Sequence, residues 1–183
     1  MLPLSDWPLL DRRCLIGIFT DIDDTLTTQG TITQDALQAL GALKAAGLHV
    51  IPITGRPIGW CEPFVQGNLE AGSLPWPVDA IVAENGSTAY SMCKISLKPS
   101  STMREQLSKL YQQDASTRIA NFSRMQEVAM RVLREVPGTR LSQDSPGRET
   151  DMAIDHSEFT NLSADDIARV VAVMRHAGMN ATV

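Results

Sequence analysis

Cysteine is scarce. Only Cys14, Cys61 and Cys93 occur in 183 residues, far apart and with no Cys-x-x-Cys pair. An odd, scattered set argues against a disulfide frame or a zinc site and predicts free thiols in a reducing cytoplasm. Histidine is equally sparse, and His49, His156 and His176 do not fall at metal-ligand spacing. Positive charge is in deficit: 16 Lys+Arg stand against 21 Asp+Glu, for a net charge of −5 with no local basic stripe. That argues against nucleic acid as a partner, because affinity for a phosphate backbone rests on lysine and arginine. No apolar run approaches the ~20 residues of a spanning helix. The opening Met1-Leu2-Pro3-Leu4-Ser5-Asp6-Trp7-Pro8 has neither the basic region nor the apolar core of a signal peptide. The expectation is a soluble, cytoplasmic protein with no membrane partner. Hydrophobic residues at 43% are enough for a core, and the length suits one domain or a domain and a half.

The richest information lies in Asp21-Ile22-Asp23-Asp24-Thr25-Leu26, which follows the apolar run Leu15-Ile16-Gly17-Ile18-Phe19. The run reads as a buried strand bounded by Arg12-Arg13 and the acids. Three carboxylates within four positions cannot all ionise without a counter-ion. If the chain stays extended, alternation puts Asp21 and Asp23 on one side and turns Asp24 away. Two carboxylates converging at the end of a strand suit Mg²⁺, a hard cation that takes one or two carboxylates and keeps waters for a phosphate substrate.

Further along, Thr27-Thr28-Gln29-Gly30-Thr31 reads as a turn or small hairpin. Thr33 caps a helix with Asp35 in its first turn and Gly47 at its close. Val50-Ile51-Pro52-Ile53-Thr54 reads as a second strand and Val78–Ala83 as a third, with a helix from Ile58 to Gln66 interrupted by Pro63. Strands alternating with helices over short links predict an α/β, doubly wound parallel sheet. Ligands of such sheets bind beyond the carboxyl ends of the strands. Here those ends carry Asp21, Thr54 and Glu84-Asn85.

These motifs resemble the haloacid dehalogenase (HAD) superfamily of phosphotransferases, whose first strand delivers Asp-x-Asp-x-Thr-Leu. The resemblance implies Asp21 as nucleophile, Asp23 as general acid/base, both as Mg²⁺ ligands, and Thr25 at the phosphate. Asp24 stands where many relatives have Gly. Ile53-Thr54-Gly55-Arg56-Pro57 resembles the second motif of that superfamily, in which the Thr54 hydroxyl hydrogen-bonds the phosphoryl group. Gly55 then lets the backbone approach closely, and Arg56 offers a planar fork to phosphate or carboxylate. Asn85-Gly86 resembles the signature of the branch whose cap is inserted after the third strand, which includes sucrose-phosphate, trehalose-phosphate, mannosyl-phosphoglycerate and Cof-type sugar phosphatases. Asn-Gly is by itself a sufficient turn signal. The resemblance spans residues 15–90 closely and 90–183 loosely. It implies an HAD-like core at 1–88 and an incomplete α+β cap at 89–183.

In the second half a hairpin is expected at Ala89–Leu97, with helices near Ser101–Asp114 and Ser116–Val136. Strands are expected around Thr139–Ser142 and Asp151–Asp155, and a helix capped by Ser163 runs to Gly178. Asn180-Ala181-Thr182-Val183 reads as the opening of another strand. Two motifs that the family carries after its cap do not follow: a lysine that stabilises the nucleophile, and an acidic Gly-Asp-x-x-x-Asp-like loop that completes the metal site. Lys98 falls on or beside the expected hairpin and reads as a solvated surface residue. The chain thus reads as the first part of a longer phosphatase, whether a truncation, an ordered portion or a naturally short relative.

The function expected is that of a Mg²⁺-dependent phosphomonoesterase acting on a sugar phosphate or similar small phosphorylated metabolite through an aspartyl-phosphate. The alternatives are a phosphomutase of the same branch, or a catalytically dead HAD-like fragment serving as a binding or assembly module. A homodimer through an exposed sheet edge is the expected assembly.

Overall fold

A computed structural model describes residues 6–67, 74–95 and 104–183. A short helix α1 (Leu9–Arg12) leads into β1 (Gly17–Asp21). The loop after β1 enters the small hairpin of β2 (Thr27–Thr28) and β3 (Thr31–Ile32). Its two turn residues, Gln29 and Gly30, have φ of 52° and 75°, as the tight turn between twisted strands requires. Helix α2 (Gln34–Ala45) follows, its first turn capped by the Thr33 hydroxyl, which accepts the Ala36 N–H at 3.4 Å. Gly47 ends it at φ 83°.

Strand β4 (His49–Ile53) then pairs parallel with β1, Gly17 opposite His49 and Asp21 opposite Ile53. Gly17 has a packing reason: a Cβ there would lie 2.7 Å from the His49 carbonyl oxygen. Helix α3 (Ile58–Gln66) accommodates Pro63 without breaking, and β5 (Ala80–Ala83) pairs parallel with β4, Ile53 opposite Val82. Pro52 sits buried in the central strand of the three. Lys44 and the backbone N–H of Val50 both bond the Asp79 carboxylate just before β5.

The expected parallel β-α-β-α-β frame is therefore present, but the sheet does not stop there. Strand β6 (Thr88–Ile95) runs antiparallel beside β5, and β7 (Arg104–Tyr111) lies beyond it, in the order β1-β4-β5-β6-β7. The segment 104–111 was expected to be helical and is a strand. Leu107 and Leu110 at helical spacing mimic a helix face, and pairing with β6 overrides that local signal. The sheet is thus mixed, with a parallel first half. Residues 96–103, and with them Lys98, lie outside the described residues, as does Ser101.

The chain divides into two compact units. The first comprises the described residues of Met1–Gly55 and Cys61–Leu110, the second Arg56–Trp60 and Tyr111–Val183. The boundary expected at 88/89 falls within β6, and the first compact unit runs on to Leu110.

In the first unit Ile22, Leu40, Val50, Cys61 and Ile81 are fully or almost fully buried. β1 is not the buried strand that its apolar run predicts. Ile16 is 81% and Phe19 71% exposed, and among the described residues β1 has a neighbouring strand on one side only.

The second unit contains α4 (Ala115–Glu135), the short pair β8 (Arg140–Leu141) and β9 (Ile154–Asp155), and α5 (Ala164–His176). Its core joins Val132, Val136 and Val170, with Ile154, Val173 and Met174 packed against them. The Ser163 hydroxyl caps α5 by accepting the Asp166 N–H at 3.1 Å, and Gly178 follows the helix at φ 76°. Residues 180–183, expected to open a strand, have no regular structure.

Candidate active site

Register aligns the site. With Asp21 opposite Ile53 and Ile53 opposite Val82, the three parallel strands end at one level. Their next residues, the Ile22–Leu26 loop, Thr54 and Glu84-Asn85, emerge from the same edge of the sheet. The Thr54 N–H still bonds the Val82 carbonyl at 2.9 Å, which fixes its backbone as a continuation of the ladder.

The loop after β1 is organised by one carbonyl. Ile22 O accepts the N–H groups of Thr25, Leu26 and Thr27 at 3.0–3.3 Å and the Thr27 hydroxyl at 3.0 Å. Buried Ile22 and Leu26 anchor the turn, and Asp24 completes it at φ 54°, a conformation that Asp tolerates better than most residues. Asp21 is left exposed at the strand end. The Thr25 hydroxyl donates to Asp21 Oδ2 at 3.4 Å, and the Thr54 hydroxyl donates to Asp23 Oδ2, also at 3.4 Å. Thr54 is only 7% exposed, so its hydroxyl has a fixed direction.

On the other side of Thr54, a Cβ on Gly55 would lie 3.1 Å from Asn85 Oδ1. The missing side chain at Gly55 therefore lets the Asn85 amide approach the backbone. Glu84, Asn85 and Gly86 form a single 3₁₀ turn with φ of 48°, 55° and 96°. Asn and Gly accept the left-handed region readily; Glu does not. A strained acid at a strand end is a feature that marks functional sites. Glu84 is 1% exposed, and Ser87 bonds its carbonyl through both hydroxyl and N–H. Behind this group lies Cys61, fully buried in α3. Burial first, then the negative charges of Glu84 and Asp23, push its thiol up to about 12.

Arg56 belongs with the second unit. Its guanidinium stands 4.0 Å from both Asp144 and Glu158 and 5.7 Å from the Trp60 ring. Burial works against ionisation of Asp144. Hydrogen bonds from Arg148 and Ser142 and the charges of Arg148 and Arg56 nevertheless hold its carboxyl below the usual range. Buried Arg148 also reaches Asp151 at 2.6 Å. The structure thus brings Asp21 to Thr25, Asp23 to Thr54 and Gly55 to Asn85, and groups Arg56 with acids far along the chain.

Glu84 was singled out in the sequence only as a polar strand end, and its burial and left-handed backbone add it to the site. Asp144 and Glu158 carried no local signal, because their relation to Arg56 is tertiary. Among the described residues no group of three or more His, Cys, Asp or Glu stands ready to hold a metal ion. Asp21 and Asp23 remain a pair of hard oxygen donors in one loop, a set that suits Mg²⁺ with water and substrate filling the other positions. Among the described residues no helix is long and apolar enough to cross a membrane.

Residues 18–171 match the family model of the haloacid dehalogenase-like hydrolases. No curated protein sequence matches. Among solved structures, the crystal structure of Thermoplasma acidophilum 0175 is similar with a TM-score of 0.54 at 16% identity, over 90% of this chain and 59% of that one. BT1666 from Bacteroides thetaiotaomicron, described among phosphatases of the haloalkanoate (HAD) enzyme superfamily, aligns with a TM-score of 0.41 at 16% identity, over 94% of this chain and 50% of its own. The chain therefore spans about three-fifths of the Thermoplasma protein and half of the Bacteroides one.

Proposed function

The chain belongs to the haloacid dehalogenase-like hydrolases, and from that membership we propose that it serves a Mg²⁺-dependent phosphomonoesterase whose substrate is a sugar phosphate or similar small polar metabolite. The observation that carries this reading is the convergence of exposed Asp21, Asp23 and the buried Thr54 hydroxyl at one end of three parallel strands.

In this reading Asp21 attacks phosphorus. The Oδ–P bond forms as the bond from phosphorus to the leaving oxygen breaks, and Asp23, protonated, gives its proton to that oxygen. Asp23, now a carboxylate, takes a proton from water. The resulting hydroxide attacks phosphorus, releasing phosphate and restoring Asp21. Thr54 and Thr25 donate hydroxyl hydrogen bonds to the phosphoryl oxygens, and Gly55, with no side chain, leaves room for the Asn85 amide beside it. Asp21 and Asp23 would hold Mg²⁺, which when bound neutralises charge on the phosphoryl group. Arg56 would offer its guanidinium to an anionic part of the substrate.

A second reading, a binding module without turnover, draws on the pair rather than trio of metal-ligating side chains among the described residues. Phosphate release from a panel of sugar phosphates, with and without Mg²⁺, separates the two. Turnover that depends on Mg²⁺ and on Asp21 supports the phosphatase; conversion to an isomeric phosphate without release identifies a phosphomutase. Saturable binding of phosphate analogues with no turnover leaves the binding module.

A further inference from the structure

Arg56 follows directly on Thr54-Gly55, and its guanidinium stands between two acids that are held in different ways. Nη1 lies 4.0 Å from Asp144 Oδ2 and 4.0 Å from Glu158 Oε1. Neither separation is a hydrogen bond. All three residues, together with Trp60, belong to the second compact unit.

Asp144 is committed elsewhere. It accepts two bonds from Arg148, at 3.2 and 2.9 Å, and a third from the Ser142 hydroxyl. Glu158 has no such ties. Among the described residues its half-exposed carboxylate has only the ion pair with Arg56. An exposed pair of that length contributes little to stability. Yet the residue is placed with care. The Glu158 N–H donates to the buried Asp155 carboxylate at 2.9 Å, and the N–H groups of Ser157 and Phe159 on either side do the same. The Thr160 hydroxyl closes the loop on the Asp155 carbonyl at 2.7 Å. A fixed loop thus brings an acid up to Arg56 without bonding it there.

We propose that Glu158 is a specificity residue: it stands where a carboxylate of the ligand pairs with Arg56, and such a ligand displaces it. A planar guanidinium takes a carboxylate through two parallel bonds, which the loose pair with Glu158 does not make. A ligand with only a hydroxyl at that place gains no such bonds. Discrimination comes from the built-in competitor as much as from the attraction. Asp144, Asp151 and Glu158 outnumber Arg56 and Arg148 here, so a singly charged carboxylate suits the place better than a doubly charged phosphate. The substrate class that follows, a sugar phosphate with a separate carboxylate, rests on the phosphatase reading; the anion subsite does not.

The Trp60 ring lies 5.7 Å from the Arg56 guanidinium and reports on its surroundings. Titration of the 183-residue chain with gluconate, followed by tryptophan fluorescence with Trp60→Phe as the blank, tests the subsite without turnover. Saturable binding is expected. Glu158→Gln should tighten it roughly threefold or more, Arg56→Gln should abolish it, and sorbitol, which lacks the carboxylate, should not bind. In steady-state hydrolysis, Glu158→Gln should raise kcat/KM for 6-phosphogluconate relative to that for glucose 6-phosphate. The proposal is overturned by an absence of gluconate binding, by equal affinity in wild type and Glu158→Gln, by binding that survives Arg56→Gln, or by an unchanged kcat/KM ratio. Gluconate binding that behaves as expected, with no hydrolysis of any phosphate ester, upholds the subsite and removes the phosphatase reading.

Discussion

Thr54 is the residue whose role is most cleanly separable from its packing. Valine has nearly its shape, so Thr54→Val removes the hydroxyl that bonds Asp23 while filling the same space. The net stability cost should be about 1 kcal/mol or less, whereas turnover should fall well over tenfold because a phosphoryl contact made by a fixed donor is lost. Urea denaturation and steady-state phosphate release on one preparation check both halves. Asp21→Asn keeps shape and loses the attacking oxygen, so turnover should vanish; activity within roughly tenfold of wild type removes Asp21 from the nucleophile role. Cys61 makes a different kind of prediction. Its thiol, pushed up to about 12 by burial and by the charges of Glu84 and Asp23, stays protonated at pH 8. Thiolate, not thiol, reacts with alkylating agents. Iodoacetamide should therefore label exposed Cys14 in the native protein and reach Cys61 only after unfolding, as peptide mass spectrometry will report.

At the scale of elements, the parallel strands were legible because their apolar runs are short, bounded, and each ends in a polar group. The caps at Thr33 and Ser163 were legible because a single hydroxyl before a helical period has one good use. β7 was not, since Leu107 and Leu110 obey a helical period and only the neighbouring strand decides otherwise. The exposed face of β1 was hidden for the same reason: a run of five apolar residues says nothing about how many neighbours the strand acquires. The loop after β9 was equally invisible. There the buried Asp155 carboxylate accepts four consecutive N–H groups, from Ser157 to Thr160, at 2.8–3.2 Å. Burial opposes its ionisation, but these bonds win and hold its carboxyl below the usual range. A depressed folded-state value means stability that is present above the unfolded value, about 3.9, and lost as pH falls through the folded one. Asp155→Ala should thus lower the melting temperature at pH 7, and the gap to wild type should narrow below about pH 4. A pH-independent gap would show that the charge plays no part. In the first unit, Gly17→Ala should cost about 1–3 kcal/mol in urea denaturation, because the added methyl meets the β4 backbone rather than a side chain that can move.

For the whole molecule, the question is what two carboxylates can hold. Mg²⁺ gives up its waters reluctantly and is bound tightly when several anionic oxygens, from protein and phosphate together, share its shell. Asp21 and Asp23 supply two such residues, and among the described residues no third completes a cluster. The 183-residue chain should therefore bind Mg²⁺ weakly by itself and more tightly once a phosphate analogue adds its oxygens. By reciprocity the analogue should bind more tightly in the presence of the metal, by the same factor. Calorimetric titrations of each ligand with and without the other measure this coupling. Asp24→Asn, which removes a neighbouring charge but neither proposed ligand, should leave the coupling nearly intact. Asp23→Asn should abolish it. Tight Mg²⁺ binding in the absence of phosphate would mean that the metal site is larger than the Asp21–Asp23 pair. Equal analogue affinity with and without the metal would mean that the two carboxylates do not face the phosphate at all.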